Sequence, residues 1–207
     1  MPDDAPTDGP GSDPVAATTE PPPSLAGGGP RFATAPPSSV LLPGDPPGRL
    51  RALAPEDWRL EQELSRTPDV PRWTYYPPDL SDDDARRRVS WSLDRAAERR
   101  LFRYVVVTGT EPVGVVGVTL PDDVPEVFYA LLPAGRGQGL ATRAVVVLAT
   151  WVLGAGHDEV RLGTLEGNTA SEAVALRAGF VARETGTTTV RGGVLETVTR
   201  WVRAAGS

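Results

Sequence analysis

A glycine-rich segment in the middle of the chain has the residue types and spacing of an anion-binding turn. Gly137 and Gly139 stand between a strand pattern that ends near Leu132 and an apolar helical pattern that begins near Leu140. Glycines let such a turn point its backbone N–H groups outward, and the positive end of the following helix dipole favours negative charge. Arg136 adds a permanent positive charge. This glycine loop, residues 135–139, therefore predicts a site for phosphate or pyrophosphate.

The glycine loop has two other possible interpretations. Strand-to-helix turns of this kind also occur without a ligand, so the ordinary-turn interpretation stays open on this signal alone. A dinucleotide-binding fingerprint does not fit, because Thr142 stands where the third glycine is required and the preceding strands resemble a meander. The loop thus indicates an anion without identifying the molecule that carries it.

The residue types that are missing exclude several kinds of chemistry. The chain has no cysteine and no lysine, and all 21 basic residues are arginine. Without cysteine there is no thiolate nucleophile, disulfide or cysteine-ligated metal, and without lysine there is no Walker-type phosphate loop and no Schiff base. The single histidine, His157, has no G-x-S-x-G motif to accompany it, which argues against a catalytic triad and a histidine-rich metal site. We therefore expect no metal.

Alternating hydrophobic periods predict the elements that must position the glycine loop. The predicted strands are 50–53, 102–107, 113–120, 126–132 and 159–165, with two more around 181 and at 194–202, and the predicted helices open at 55 or span 81–100, 140–153 and 169–178. Ser81 is a suitable N-cap, with Asp84 three residues later. This order indicates a mixed α/β layer fold of the α+β kind without internal repeats.

The composition divides the chain into two parts. Residues 1–47 hold 13 of the 22 prolines and carry a net charge of -5, whereas the remainder carries -1. We expect 1–47 to be a disordered acidic tail, because it has too little apolar surface to offset the entropy of ordering, and 48–207 to be a single domain. The sequence also lacks the pattern of a secretory signal or a membrane span, and the domain has no basic surplus, so a cytoplasmic protein without membrane or nucleic-acid partners is expected.

Two motifs resemble the GNAT superfamily of acetyl-CoA-dependent N-acetyltransferases. Residues 136–141, R-G-Q-G-L-A, have the R/Q-x-x-G-x-G/A pattern of that family and follow the expected strand. Asn168, Ser171 and Gly179-Phe180 resemble the N-x-x-S…G-F signature of the RimJ/RimL-like branch, which includes ribosomal-protein N-terminal acetyltransferases. The resemblance covers about residues 49–202.

The resemblance implies a GNAT fold, in which helices flank a mostly antiparallel sheet that is splayed, here between strands 126–132 and 159–165. In similar proteins the pantetheine arm of acetyl-CoA enters the splay and pairs with the first of these strands, and the pyrophosphate meets amides of the glycine loop. The residues at cofactor-binding positions are Leu131, Leu132, Arg136, Gly137, Gln138, Gly139, Leu140, Ala141, Asn168 and Ser171.

The resemblance also gives two candidate catalytic residues. Glu126 opens the strand on which many GNAT enzymes place a carboxylate that takes a proton from the amine, and the alternative is a solvated glutamate at a strand end. Ser171 matches the serine that RimL-like enzymes are thought to use as general acid toward the leaving thiolate, and it can also serve the first turn of its helix. Ala175 stands where many GNAT enzymes have a tyrosine acid. Glu166 is better interpreted as a solvated loop residue.

Two further groups of residues have a structural interpretation beside a functional one. Trp73, Tyr75 and Tyr76 lie in the region that lines the acceptor site in similar proteins, but they could equally form a packed lid. The arginine runs 86–88 and 99–100 are predicted to form a solvated helix face.

The expected activity is that of an acyltransferase that moves an acetyl group from acetyl-CoA to a primary amine. The amine, from a protein N-terminus or a small molecule, would attack the thioester directly in a ternary complex, with a backbone N–H near Leu132 facing the oxyanion. The alternatives are a CoA-binding sensor or assembly module without catalysis, and a phosphate-binding hydrolase that merely shares the turn. The sequence leaves open the acceptor, an acyl group larger than acetyl, and a homodimer.

Overall fold

A computed structural model describes residues 30–190 and 193–206. The strands are β1 (Ser39–Leu42), β2 (Gly48–Ala52), β3 (Leu101–Thr108), β4 (Glu111–Thr119), β5 (Glu126–Leu131), β6 (Glu159–Leu165), β7 (Val181–Thr189) and β8 (Leu195–Ala204). The helices are α1 (Trp58–Arg66), α2 (Asp69–Trp73), α3 (Asp82–Ala97), α4 (Leu140–Gly154) and α5 (Thr169–Arg177). The predicted elements from β2 onward are confirmed, with bounds that differ by a few residues.

All strands belong to one sheet in the order β1-β2-β3-β4-β5-β6-β8-β7. Neighbours are antiparallel except for β5 and β6, which run parallel and pair at a single position, Glu126 with Arg161. Beyond that pair the two strands part. The predicted mixed fold, with a mostly antiparallel sheet splayed between these strands, is therefore confirmed.

The two faces of the sheet carry separate cores. The α4 face packs against α4 and α5, and β5 contributes Val127 and Leu131 to it. The α3 face packs against α1, α2 and α3, and β5 contributes Ala130 to it, followed by Leu132. Because side chains alternate along a strand, Glu126 and Phe128 also lie on the α3 face, as the sequence predicts.

The helices beside the site begin where local chemistry allows. The Ser81 hydroxyl accepts a hydrogen bond of 3.1 Å from the Asp84 N–H, which is the predicted N-cap of α3. In α4 the buried residues recur at helical spacing along one stripe, so that Leu140, Ala144 and Leu148 pack against the sheet. No helix in the described ranges is long and apolar enough to cross a bilayer.

The predicted boundary of the domain at residue 48 is corrected by the structure. Phe32 is 1% exposed and packs against Phe102 and Trp151, with ring centroids 5.5 and 5.4 Å away. Ser39–Leu42 forms β1 and pairs with β2. Because the segment is rich in proline, its composition did not indicate that a few apolar side chains anchor it to the domain. The rest of the predicted tail, residues 1–29, lies outside the described residues.

The predicted solvated arginine face is only partly right. Arg86 and Arg87 are exposed and pair with aspartates one turn earlier. The Arg88 side chain is 12% exposed, and Arg100 is buried. Successive residues of a helix are about 100° apart, so three arginines in a row cannot share one face. Arg88 falls beside Val89 on the side of α3 that meets the sheet.

Phe32→Ala tests whether the segment before β2 belongs to the domain. Loss of its ring contacts is expected to lower the free energy of unfolding by about 3 to 5 kcal/mol, measured by urea denaturation. Leu41→Ala, at a side chain 75% exposed in the same segment, serves as control and should cost less than about 0.5 kcal/mol. Equal, small effects of both changes would show that the segment does not stabilise the core.

Candidate active site

One cavity of about 990 Å³ passes through the sheet where β5 and β6 part. Its α4-face end is lined by the glycine loop, including Gly137, and its middle by Ser171 on α5. Its α3-face end is lined by Glu126 and Arg103. Groups bound on opposite faces of the sheet can therefore meet inside the gap.

The glycine loop has the open backbone that the sequence predicts. Gly137 and Gly139 have φ values of +73° and +68°, which suit glycine, and Gly139 is the N-cap of α4. The N–H groups of Leu140, Ala141 and Thr142 have no acceptor within the helix, because they form its first turn. No side chain caps this end within the described ranges. The loop and helix thus offer several free N–H donors to an anion.

Arg136 braces the loop and does not extend toward an anion. Its Nε and one terminal nitrogen donate to the Leu131 carbonyl at 2.9 and 2.8 Å. Its terminal nitrogens also form a two-point ion pair with Asp69 of α2, at 2.7 and 3.1 Å. The positive charge predicted for Arg136 is present beside the loop. Its guanidinium, however, bonds to the end of β5 and links that end to α2.

Arg143, one turn into α4, is a second brace that the sequence analysis missed. It donates to the carbonyls of Gln138 and Pro46, both at 2.9 Å. No carboxylate of the described residues lies within ion-pair distance of it, so its charge is uncompensated behind the glycine loop. The Gln138 side chain donates to the Ala134 carbonyl at 2.8 Å. In the sequence, the signal for Arg143 was its position one helical turn after Gly139.

Only every second residue of β5 turns its backbone N–H and C=O groups toward the gap. Leu132 is not one of them, which corrects the prediction for this residue. The Leu132 N–H donates to Val113 of β4 at 2.9 Å, and its carbonyl accepts from Gly135 at 2.9 Å. Hydrogen-bonding direction alternates along a strand, so Tyr129 and Leu131 turn their backbone groups away from β4 and toward the gap. The backbone of Leu131 thus faces the gap, and the other residue of this parity is Tyr129, not Leu132.

Glu126 lies half-buried on the α3-face wall of the gap. A Cβ on Gly163 of β6 would lie 3.5 Å from its Oε1, so the carboxylate reaches across to the opposite strand. Burial raises the pKa of Glu126, and the positive charges of Arg200 and Arg161 oppose this rise. A carboxylate with a raised pKa is a stronger base than an ordinary glutamate.

Two hydroxyl groups meet on the other side of the gap. The hydroxyls of Ser171 on α5 and Tyr129 on β5 share a hydrogen bond of 2.8 Å. Asn168 lines the cavity and accepts from the Ser171 N–H at 3.2 Å, which makes it the N-cap of α5. Ala175 is fully buried, in keeping with the absence of the tyrosine acid. Tyr129 instead supplies a phenol from the facing strand.

Helix α2 and the residues after it roof the cavity. Besides the Asp69 ion pair, Arg72 pairs with Glu196 of β8 at 2.8 Å, so α2 is tied to both halves of the sheet. Trp73, Tyr75 and Tyr76 all line the cavity. Tyr75 is 57% exposed and Tyr76 only 3%. The segment therefore contains both of the predicted features, an open aromatic wall and a packed lid.

A buried charged cluster closes the α3-face end. Glu61, fully buried, accepts from Arg88 Nε at 2.9 Å and lies 3.2 Å from a terminal nitrogen of Arg103. Arg103 also donates to the Tyr76 hydroxyl at 2.7 Å. Burial raises the pKa of Tyr76, so its phenol stays neutral. The cluster was not foreseen, because its members come from three elements.

Most predicted site residues do meet in the cavity. Leu132, Gln138 and Glu166 do not line it, and Glu166 is exposed. In residues 30–190 and 193–206, no three histidine, aspartate or glutamate side chains are grouped as a metal site requires. The residues that line the cavity and match predicted positions are Glu126, Leu131, Arg136, Gly137, Gly139, Leu140, Ala141, Asn168 and Ser171.

Known structures share this architecture. The ribosomal L7/L12 alpha-N-protein acetyltransferase RimL, without ligand, is 18% identical with a TM-score of 0.70, over 80% of this chain and 94% of that one. A microcin C7 self-immunity acetyltransferase with acetyl-CoA and AMP is 17% identical with a TM-score of 0.70, over 76% and 92%. Spermidine N-acetyltransferase from Vibrio cholerae with CoA and spermine is 17% identical with a TM-score of 0.66, over 76% and 95%.

Sequence comparison agrees with the fold. No curated protein sequence matches this chain. The profile of the acetyltransferase (GNAT) domain matches residues 49–181, which is more than half of the sequence and includes both the glycine loop and the Ser171 motif. The chain therefore belongs to the GNAT acetyltransferase family, and its fold is that of the RimL-like members.

Proposed function

We propose that this chain is an N-acetyltransferase that uses acetyl-CoA to acetylate a primary amine, on a protein N-terminus or a small molecule. The amine attacks the thioester directly in a ternary complex. One observation carries the proposal: one cavity connects free N–H donors at the glycine loop with a half-buried carboxylate, Glu126, on the opposite face of the sheet. Two of the structures described above are named as acetyltransferases of a ribosomal protein and of spermidine, and two hold acetyl-CoA or CoA.

The cofactor site is assembled from backbone groups. The free amides of Gly137, Gly139 and the first turn of α4 would hold the pyrophosphate, with Arg143 as the fixed positive charge behind them. The Tyr129 carbonyl and the Leu131 N–H would pair with the amide groups of the pantetheine arm, because the Leu131 carbonyl already accepts from Arg136. Acetyl-CoA supplies the activated acetyl group, and the Tyr129 N–H, in place of one near Leu132, is assigned to the oxyanion.

Protons are handled on opposite sides of the gap. Glu126 receives the proton of the acceptor amine, directly or through water, from the α3 face. The Ser171–Tyr129 hydroxyl pair, on the α4 face, donates a hydrogen bond to the departing thiolate. This division lets base and acid act in one cavity without neutralising each other.

Ligand binding by the full chain tests the cofactor assignment. Acetyl-CoA and desulfo-CoA at about one hundred times Kd should each stabilise the fold by about 2.7 kcal/mol, seen as a higher Tm, whereas ATP should not. Arg136→Ala should shrink the shift and raise the KM for acetyl-CoA more than it lowers kcat, because the loop loses its brace. Asp69→Asn keeps the bonds to Leu131 and should retain most of the shift.

Two results would contradict this assignment. Equal Tm shifts for wild type and Arg136→Ala would remove Arg136 from the site. Stabilisation by acetyl-CoA without amine-dependent release of CoA, across a broad panel of amines, would instead identify a CoA-binding module without catalysis.

Glu126→Gln tests the base and has opposite effects on activity and stability. The kcat/KM should fall by about 100-fold or more. Because burial raises the pKa of Glu126 in the folded state, ionising it costs stability as pH rises through that pKa, and glutamine removes the cost. The variant should therefore have the higher Tm at pH 8, and the advantage should vanish below about pH 4. Glu166→Gln, at an exposed carboxylate, should change neither quantity.

Ser171→Ala and Tyr129→Phe test the hydroxyl pair. Each should lower kcat by about 10-fold or more with little change in the Kd of desulfo-CoA, because only the leaving thiolate loses a donor. Tyr104→Phe is the matched control, since the Tyr104 hydroxyl donates to the Pro37 carbonyl at 2.9 Å, away from the cavity. Wild-type kcat in Tyr129→Phe would limit the role to Ser171 or water.

A further inference from the structure

The charged cluster at the α3-face end of the cavity contains two guanidinium groups and only one carboxylate, so its net charge is positive. Arg88 and Arg103, with side chains 12% and 4% exposed, share the single carboxylate of Glu61. The other partners of Arg103, Tyr76 and Ser92, are a neutral phenol and a neutral hydroxyl. A buried charge without a counterion is costly, so the second guanidinium needs an anion.

The cluster also has more hydrogen-bond donors than acceptors. Each guanidinium carries five N–H donors, and Glu61, Tyr76 and the Ser92 hydroxyl together cannot accept them all. Arg103 Nε is buried without a partner in the described part of the chain. The terminal nitrogens of Arg88 make no hydrogen bond to another described residue, and Arg88 lines the cavity.

The other charged residues on the α3 face do not neutralise the surplus positive charge of the cluster. Arg161 pairs with Glu159 at 2.7 Å, and Arg200 pairs with Glu184. Glu126 is within ion-pair distance of no described arginine. On the α3 face the cavity therefore presents a carboxylate without an ion pair, at Glu126, and a surplus guanidinium, at Arg88 and Arg103. Asp122 and Arg177 also line the cavity and form no ion pair with a described residue.

Strand geometry separates these two groups by the length of a small molecule. Glu126 and Phe128 are two residues apart on β5, about 7 Å. Arg103 of β3 is in register with Gly117 of β4, and Gly117 with Phe128, so two strand spacings, about 10 Å, lie between Arg103 and β5. The Arg103 guanidinium reaches back to 5.7 Å from the Phe128 ring, which forms the floor between the groups.

We propose that the acceptor amine also carries a carboxylate, which binds Arg88 and Arg103 while the amine lies at Glu126. This inference rests on the proposed acetyl transfer and names its substrate class. A carboxylate matches the single surplus charge, whereas a phosphate monoester brings about two. The separation suits a carboxylate several bonds from the amine, as in an ω-amino acid or a peptide with an acidic residue near its N-terminus. The ammonium and carboxylate of one α-amino acid lie too close together.

Matched acids and amides test this subsite. The probes are 6-aminohexanoate against 6-aminohexanamide, and the C-terminal amides of Ala-Glu against Ala-Gln, with alanine as the short comparison. Kd is measured by calorimetry on the full chain saturated with desulfo-CoA, and kcat/KM with acetyl-CoA. The acid of at least one pair should bind, and react, at least about tenfold better than its amide. A preference for the acid in the 6-aminohexanoate pair would indicate a free amino acid as acceptor, and a preference in the dipeptide pair would indicate a peptide.

Variants of neighbouring arginines separate a specific contact from general charge. Arg88→Gln should bring the acid-to-amide ratio toward one, and Arg88→Lys should restore part of it. Arg87→Gln, at an exposed neighbour on the same helix that does not line the cavity, should keep the wild-type ratio. A Tm for each variant confirms that it is folded.

The two readouts distinguish the failures. Equal Kd and kcat/KM for acids and amides in wild type would overturn the carboxylate subsite while leaving acetyl transfer intact. Selective binding of acids, lost in Arg88→Gln but with no amine acetylated, would support the subsite and overturn the proposed transfer. A ratio unchanged by Arg88→Gln would also overturn the subsite.

Discussion

The parting of β5 from β6 is the constraint on which the rest of this structure depends. A sheet that pairs at Glu126 and Arg161 and then opens leaves backbone N–H and C=O groups without a strand partner inside the domain. Such groups are costly when buried, so they must meet water, a side chain or a ligand. Arg136 satisfies the Leu131 carbonyl, and the others face the cavity. Helix α2 spans the gap, because Asp69 and Arg72 form ion pairs with Arg136 after β5 and with Glu196 of β8.

Arginine serves several distinct purposes around this gap. Arg136 and Arg143 each donate to backbone carbonyls and hold the glycine loop from two sides. Arg88 and Arg103 form a buried pair on the opposite face. A planar guanidinium can brace several acceptors at once and keeps its charge when buried, which an ammonium does less readily. A chain without lysine can thus combine positioning and electrostatics in the same side chains.

The sequence predicted features that local chemistry determines. The glycine loop, the Ser81 cap and the bounds of β6 follow from residues close together in the chain. Contacts between distant elements were not accessible: Phe32 was hidden among prolines, and Tyr129 meets Ser171 only because β5 and α5 face each other across the gap. Leu132 was expected to turn its backbone toward the gap, but its N–H pairs with Val113 of β4, and the sequence does not show which residues of β5 have that partner. The prediction that Arg88 is solvated was wrong for a similar reason, because its burial depends on the side of α3 on which it lies and not on its neighbours in the sequence.

In the proposed reaction, the hydroxyl pair of Ser171 and Tyr129 takes the place of the tyrosine that Ala175 replaces. Ala175 is buried in the α4-face core, where a larger side chain would displace its neighbours. The phenol of Tyr129 starts from β5 and reaches Ser171 at the first turn of α5, beside the gap that the pantetheine arm would enter in the proposed reaction. The contact that supplies the hydrogen-bond donor is therefore also a contact between the two halves of the splayed sheet. In the proposed reaction, departure of the thiolate and the packing of β5 against α5 depend on the same pair of oxygen atoms.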